Sequence, residues 1–372
     1  MASLPSVFKA PESKGSAIHP LLLAFFYSLP SLVKTVSGSS TDEKTLSCAV
    51  KKAWGSLAQG NNASAKPVWD LIGEATLIPA DSAELLTQMC DLFDAELHNA
   101  AAKALGFSTK IVIHAGARVK DGKPSEGYTL ALSIPIQADI QGHSLTSLLQ
   151  SNFATEKIDY MFPDDVEPIS SDKKLSIAGG FHECVVVHLQ RYRYDFEFMR
   201  NAKIYDRIEF PEQMSGKEFA SYADEDSTKA ISGSTLDLVA VLTHHDEKGY
   251  GLLLRPDAKG PWFKCCDIDY QEVPTETSIE SAFGGELDSD VAYMLFYKVS
   301  GGGQGALAGL TKKLSRKSLT NKTADNPAAT TTKSTPSASP AAASSSPSAQ
   351  KPALKTGAAA ENKSGGGCCV VQ

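Results

Sequence analysis

Residues 184–211 read CVVVHLQRYRYDFEFMRNAKIYDRIEFP. The segment 184–189 is a short run of apolar and β-branched residues, the composition of a strand. It closes on His188-Leu189-Gln190-Arg191-Tyr192, and a second segment, Lys203-Ile204-Tyr205-Asp206-Arg207-Ile208-Glu209-Phe210-Pro211, follows it. Outward from this stretch the chain changes character. From about residue 110 onward strands dominate, and 111–113, 130–136, 236–243, 251–254 and 292–297 are further predicted strands. Toward the N-terminus the pattern is helical, most clearly over 18–29 and 82–104. In the second of these, Asp81-Ser82 can cap the helix, and Leu85, Met89, Leu92, Phe93 and Leu97 supply an apolar stripe. A helical front and a β-rich back predict an α+β fold.

The 184–211 segment resembles the central box of the ubiquitin-specific proteases: an apolar strand ending His-Leu-x-Arg-aromatic, then a Lys-x-x-Asp-Arg-x-x-Phe-Pro strand. Other segments resemble the same family. Asp81-Ser82-Ala83-Glu84-Leu85-Leu86, running on to Leu97-His98, is similar to its Asp-Ala-x-Glu-Phe-Leu helix, and Leu132-Ser133-Ile134-Pro135 to its Leu-Ser-Leu-Pro strand. Phe153-Ala154-Thr155-Glu156 matches its Phe-x-x-Glu. Residues 292–297 resemble its closing strand, with Gly284-Gly285 ahead of them. These segments occur in family order and span nearly all of residues 10–299. The resemblance implies a papain-like fold with a helical thumb, a β-rich palm and short fingers.

The resemblance also implies a cysteine protease, in which a thiolate attacks the carbonyl at ubiquitin's C-terminus, a histidine moves the proton and an acid orients the histidine. At each of those positions this chain departs from the pattern. Ala17 falls at the nucleophile, within Gly15-Ser16-Ala17-Ile18-His19-Pro20. Glu12 falls near the asparagine of the oxyanion hole, where an acid would repel developing negative charge. Gly249 falls at the histidine, in Lys248-Gly249-Tyr250-Gly251 leading to Arg255. Cys266 falls at the first acid, after Trp262-Phe263-Lys264-Cys265, while Asp267 retains the second. His244 and His245 match the non-catalytic end of the preceding strand and are expected to be structural, with a displaced base at His245 as the alternative. Cys265 or Cys266 could serve as a relocated nucleophile, against the plainer expectation of thiols on a half-buried strand. Ser16 lacks a base. His114-Ala115-Gly116 stands where the family's first zinc-binding Cys-x-x-Cys would fall, so no metal or other cofactor is expected.

Composition sets further bounds. The chain has 372 residues, a formal charge of −7 and 42% hydrophobic residues, enough for a sizeable core. The odd count of seven cysteines, none in Cys-x-x-Cys, fits a reducing cytosol better than a disulfide framework. The apolar run around residues 21–26 is closed by Pro30, too short to span a bilayer and too far inside the chain for a signal peptide. Residue 2 is Ala, which excludes N-myristoylation.

The character changes again at Gly301-Gly302-Gly303. Residues 301–372 carry nine Lys or Arg against two acids, a net of +7; with the whole chain at −7, residues 1–300 carry −14. Residues 1–300 are therefore expected to form the protease-like domain. Residues 301–319 form a basic segment with Lys312, Lys313, Arg316 and Lys317 interleaved with Leu307, Leu310 and Leu314, which share a face on a helix. Ser315 and Ser318 lie inside this cluster, where phosphorylation would cancel charge. Residues 320–367, rich in Ala, Ser, Thr, Pro and Lys, cannot bury enough apolar surface to offset ordering entropy and are expected to be a disordered linker of about 40 Å mean reach. Residues 368–372 contain a C-a-a-X box, Cys369-Val370-Val371-Gln372, whose Gln favours farnesylation of Cys369, with Cys368 available for palmitoylation.

The expectation that combines these readings is a catalytically inactive relative of deubiquitinases. It would be held on the cytosolic face of a membrane and would bind ubiquitin, a ubiquitinated protein or a protease partner. A prenyltransferase and an anionic membrane surface would be further partners, with no role for nucleic acid. The competing expectations are an active deubiquitinase with rearranged catalytic residues and a scaffold that does not bind ubiquitin.

Overall fold

The computed structural model describes residues 5, 7–8, 17–39, 42, 44–75, 81–121, 129–136, 143–266, 273–287 and 289–301. These belong to the first of two units, residues 1–320; the second, 321–372, lies outside the described residues. So do Glu12, Ser16, Asp267, residues 302–319 of the basic segment, the linker and the Cys368-Cys369 box, as does the side chain of Cys266.

Among the described residues, six helices make the front: α1 (Ile18–Ser28), α2 (Pro30–Ser37), α3 (Leu46–Ala58), α4 (Lys66–Ala75), α5 (Ser82–Leu97) and α6 (Ala100–Leu105). α1 is apolar around most of its circumference, and Ile18, Leu21, Leu22, Leu23, Ala24 and Phe25 have no exposed surface. Such a helix has to be central. Pro30 cannot continue it but suits the first position of α2, and the chain bends by 100° there. Among the described residues no single helix is long and apolar enough to cross a membrane. The indole of Trp54 on α3 donates to the Leu22 carbonyl at 3.1 Å and stacks on Phe93 of α5, which locks α1, α3 and α5 together.

The helix expected over 82–104 is two helices. His98 and Asn99 both take left-handed backbone, with φ of 54° and 61°, and end α5. The Asp94 carboxylate then accepts from the amides of Ala101 (2.7 Å) and Ala102, so α6 starts on a new axis with its first amides satisfied. The apolar periodicity continues through the break, and periodicity alone does not register a change of axis.

The strands follow. A four-stranded antiparallel sheet contains β1 (Ser108–Ala115), β2 (Arg118–Asp121), β5 (Glu156–Tyr160) and β6 (Ile169–Ala178), in the order β2-β1-β6-β5. Between its halves lie β3 (Leu132–Pro135), β4 (His143–Ser144) and α7 (Leu145–Asn152). Next come β7 (Cys184–Gln190), β8 (Tyr192–Asp195), β9 (Arg200–Lys203), β10 (Ile208–Glu209), β11 (Gln213–Ser215), α8 (Gly216–Ala220) and α9 (Glu225–Ser232). The last strands are β12 (Ser234–His245), β13 (Gly249–Leu254), β14 (Trp262–Cys266), β15 (Thr275–Thr277) and β16 (Val291–Gly301). The long sheet runs β15-β14-β13-β12-β16-β7-β3, with β11 added to β12.

The central strands of that sheet are buried on both faces, which explains the unbroken apolar runs of β7, β12 and β16. Along β7, Cys184 and Val186 join the core shared with the helices, while Val185, Val187 and Leu189 join a second core with α7, α8 and α9. Two arginines tie loops to the sheet. Arg191 has no exposed surface and donates from Nε to the Ala292 carbonyl and from Nη1 to those of Ile204 and Asp206. Arg255 pairs with Glu212 at 2.6 Å, and the Trp262 indole donates to the same carboxylate at 2.8 Å.

Candidate functional site

α1 packs on β12, β13 and β16, so the positions that the resemblance assigns to nucleophile and histidine lie on elements in direct contact. Ala17 is the N-cap residue of α1, in helical backbone, with no side-chain cap; it is 3% exposed. A thiol there would sit at the positive end of a helix, the setting that favours thiolate. The methyl group has neither a proton to lose nor a lone pair to donate. His19, two residues on, is a buried core imidazole set edge-on to Phe8, and burial pushes its pKa down to about 4.

Gly249 opens β13 and pairs with His245 across the hairpin turn. Its φ is +84°, a conformation that side chains other than glycine adopt at a cost. His245 is 8% exposed, and its Nδ1 accepts the Glu247 amide at 3.3 Å, so its ring is engaged within the hairpin itself.

Cys266 ends β14 opposite Leu252. His245 stands opposite Gly249, three residues back along β13, which separates the two positions by about 10 Å along the ladder. Cys265 is 3% exposed, its thiol donates to the Phe263 carbonyl at 3.6 Å, and it belongs to the core against the helices. The ladder therefore does not bring His245 beside the two cysteines. His114, on β1, and Gly116, at the β1–β2 turn, lie on the small sheet. Among the described residues no group of three His, Cys, Asp or Glu is placed to hold a metal ion.

What the fold does assemble is a polar cluster between α5, β7, β12, β13 and β16. Asp81 caps α5, accepting from the amides of Ala83 at 2.8 Å and Glu84 at 3.2 Å, and also accepts from the Tyr293 phenol. The Tyr250 hydroxyl accepts the Ser82 amide at 3.1 Å. The Tyr250 ring lies 4.7 Å from His244, and Tyr293 lies 4.9 Å from His188. Burial, helped by the nearby Lys203 ammonium, pushes His244 down to about 4, and burial also lowers His188. Burial, with the Asp246 carboxylate beside it, pushes Tyr192 up to about 12. Lys203 bridges to Asp246 at 2.9 Å and donates to the His244 carbonyl.

The cluster thus combines the carboxyl groups of Asp81 and Asp246, the imidazoles of His188 and His244, whose burial favours the neutral form, the phenols of Tyr192, Tyr250 and Tyr293, and the Lys203 ammonium paired with Asp246. Its Ser-His contact, Ser133 Oγ to His188 Nδ1 at 3.2 Å, is a cross-strand pair on β3 and β7, and no carboxylate bonds the other ring nitrogen. The arrangement suits recognition of hydrogen-bonding or cationic groups better than nucleophilic attack. Asp81, His188 and Tyr293 all lie within quoted sequence segments. Nothing in their spacing brings them together, and the signal that could have flagged them is the helix cap at Asp81.

The family model described as ubiquitin carboxyl-terminal hydrolase matches residues 22–297, a span that begins after Ala17 and includes Gly249 and Cys266. Ubiquitin carboxyl-terminal hydrolase 5 of Schizosaccharomyces pombe is 28% identical over 157 residues, 41% of this chain and 14% of that protein. Ubiquitin C-terminal hydrolase 13 of Arabidopsis thaliana is 32% identical over 108 residues, 27% of this chain and 10% of that protein. The matched parts thus span about a seventh or less of these relatives' lengths.

Proposed function

The chain belongs to the ubiquitin carboxyl-terminal hydrolase family, and from that premise we propose that it binds ubiquitin, a ubiquitinated protein or a protease partner without hydrolysing the ubiquitin bond. The observation that carries this reading is the buried methyl of Ala17 at the start of α1, where thiol chemistry would need a cysteine. The left-handed Gly249 and the engaged ring of His245 support it, because neither of these two described positions offers an imidazole poised as a base. The acidic body and the Asp81 carboxylate favour a basic ligand.

The test is incubation of the full chain with ubiquitin carrying a cysteine-reactive C-terminal warhead, with non-covalent ubiquitin binding measured in parallel. Binding without covalent capture is expected. Capture at Cys265 or Cys266 would establish an active enzyme with relocated chemistry. Neither capture nor binding would leave a scaffold that has lost ubiquitin.

The same reading includes attachment to the cytosolic face of a membrane through prenylated Cys369. Acylation of Cys368 and the basic residues Lys312, Lys313, Arg316 and Lys317 would add to it. One prenyl chain binds a bilayer marginally, and each basic residue near anionic lipid adds about 1 kcal/mol. The support is the sequence pattern, and the C-a-a-X chemistry requires a free Gln372 carboxylate. Incorporation of labelled prenyl precursor into the wild-type chain but not Cys369→Ser is the expected result; equal labelling of both would remove the anchor.

A further inference from the structure

A groove of about 450 Å3 lies between the small sheet and the end of α7. Its floor is apolar. Ile111 of β1 and Leu175 of β6 are cross-strand partners on one face, and Pro135, the last residue of β3, stands beside them. Ile111 is 43% exposed, so this floor is open to water. Leu175 packs against the second core, the one that holds α7, α8 and α9. The groove therefore opens on the side of the long sheet away from α1–α6, and so away from Ala17 and Asp81. Lys173 and Glu156 stand at the rim, paired at 3.0 Å, and their charges offset one another. The carbonyl end of α7, whose last residue Asn152 also lines the groove, then sets the local sign, which is negative.

The chain itself carries a segment of matching chemistry. Just past Gly301, Leu307, Leu310 and Leu314 are interleaved with the cations Lys312, Lys313, Arg316 and Lys317. The segment is long enough. Gly301 ends β16 opposite Ser234, just after α9, and at the other end of α9 Ala223 bridges to Ile177, two residues from Leu175 on β6. That path is about 40 Å and the straight line is shorter, while residues 302–314 span up to about 43 Å when extended. Charge agrees as well, since residues 1–300 carry −14 and residues 301–372 carry +7. A tethered segment also has an effective concentration on the order of millimolar, so a contact of modest intrinsic affinity suffices. A separate partner has no such advantage.

We propose that the groove between Ile111, Leu175 and the end of α7 is a docking site for this chain's own segment 302–319. Leu310 and Leu314 cover the apolar floor, and Lys312 or Lys313 meets the carbonyl end of α7. Taking these leucines and Ile111 out of water is what favours the docked state. The docked leucines are withheld from any bilayer, so the segment cannot lie on the body and on a membrane at once. Docking and ubiquitin binding are independent, because the groove is remote from Ala17 and Asp81.

The test is hydrogen exchange of the full chain, read by mass spectrometry. The amides of 306–314 are expected to exchange at least about tenfold more slowly than those of 325–360 in the same molecules. Ile111→Lys, which removes the apolar floor and repels the cations, should abolish that protection. Leu310→Asp with Leu314→Asp should do the same from the other side of the contact, so the result does not hang on the stability of the small sheet. Unprotected 306–314 in the parent chain, or protection that survives Ile111→Lys, overturns the proposal. So does protection that grows with protein concentration, which would make the occupant the segment of a second copy. Ubiquitin binding is measured on the same samples. Protected 306–314 without ubiquitin binding counts against the proposed function alone, and ubiquitin binding with freely exchanging 306–314 counts against docking alone.

Discussion

The phenol of Tyr293 donates to the carboxylate of Asp81, a contact between residues 212 positions apart that joins the β16 strand to the first turn of α5. One carboxylate thereby satisfies two helix amides and a phenol buried beside them. Asp81→Ala is expected to cost about 2 kcal/mol, the cap together with an orphaned phenol, and Tyr293→Phe about 1 kcal/mol. The double variant should cost less than the sum, because the two residues share one interaction. Urea unfolding of the four chains measures the coupling, and strict additivity would show that the contact contributes nothing.

Arg191 should not tolerate lysine. Its guanidinium is fully buried, and three bonds to the carbonyls of Ala292, Ile204 and Asp206 use its fork geometry. Burial lowers its pKa to about 10, so it remains charged at neutral pH. Arg191→Lys would leave a compact ammonium unable to reach all three oxygens, at a cost of about 3 kcal/mol. A drop in denaturant midpoint with an unchanged m-value is the expected signature.

Gly216 starts α8 where another part of the chain passes very close. A Cβ there would lie 2.1 Å from the Ile231 carbonyl oxygen and 2.7 Å from that of Ser234, both backbone atoms. Gly216→Ala must therefore displace α8 from α9, and a loss of at least about 2 kcal/mol is expected by thermal or chemical unfolding. A variant as stable as the parent would mean that the two helices separate freely.

Acid should weaken the domain before its carboxylates titrate. His19 and His244 ordinarily ionise near 6.5, and burial holds both near 4 in the folded protein. Between those values the unfolded chain takes up protons that the folded chain refuses, so stability is full above about pH 6.5 and falls as pH drops toward 4. His182 and His188, lowered by burial in the same sense, add to the slope. His19→Leu should flatten that fall, read as the urea midpoint across this pH range; an unchanged slope would show that His19 is hydrated when folded.

Much of the architecture was readable along the chain because the informative residues are local. The β-branched run of β7 and the alternation-free runs of β12 and β16 mark strands buried on both faces, and Asp81 announces the start of α5. The break at His98-Asn99 escaped the pattern, since Ala101 and Leu105 continue the apolar stripe and only the backbone torsions change. That residue 17 is an alanine and carries no thiol was also legible, because it is a matter of residue type. The polar cluster was not: Asp81, His188, His244, Tyr250 and Tyr293 come from five separate elements, and their spacing in sequence carries no record of their contact.

The amino-acid sequence by itself determined the order of helices and strands, the family, and which chemical groups exist at Ala17, Gly249 and Cys266. Those properties follow from side-chain identity and short-range periodicity. Only the tertiary structure decided that Gly249 sits in a left-handed turn, that the His245 ring is engaged in its own hairpin, and that Phe196, Phe198 and Met199 stand in solvent. Exposure and proximity are sums over neighbours distant in the chain, so they arise only when the long sheet has closed and the β8–β9 ribbon projects beyond it.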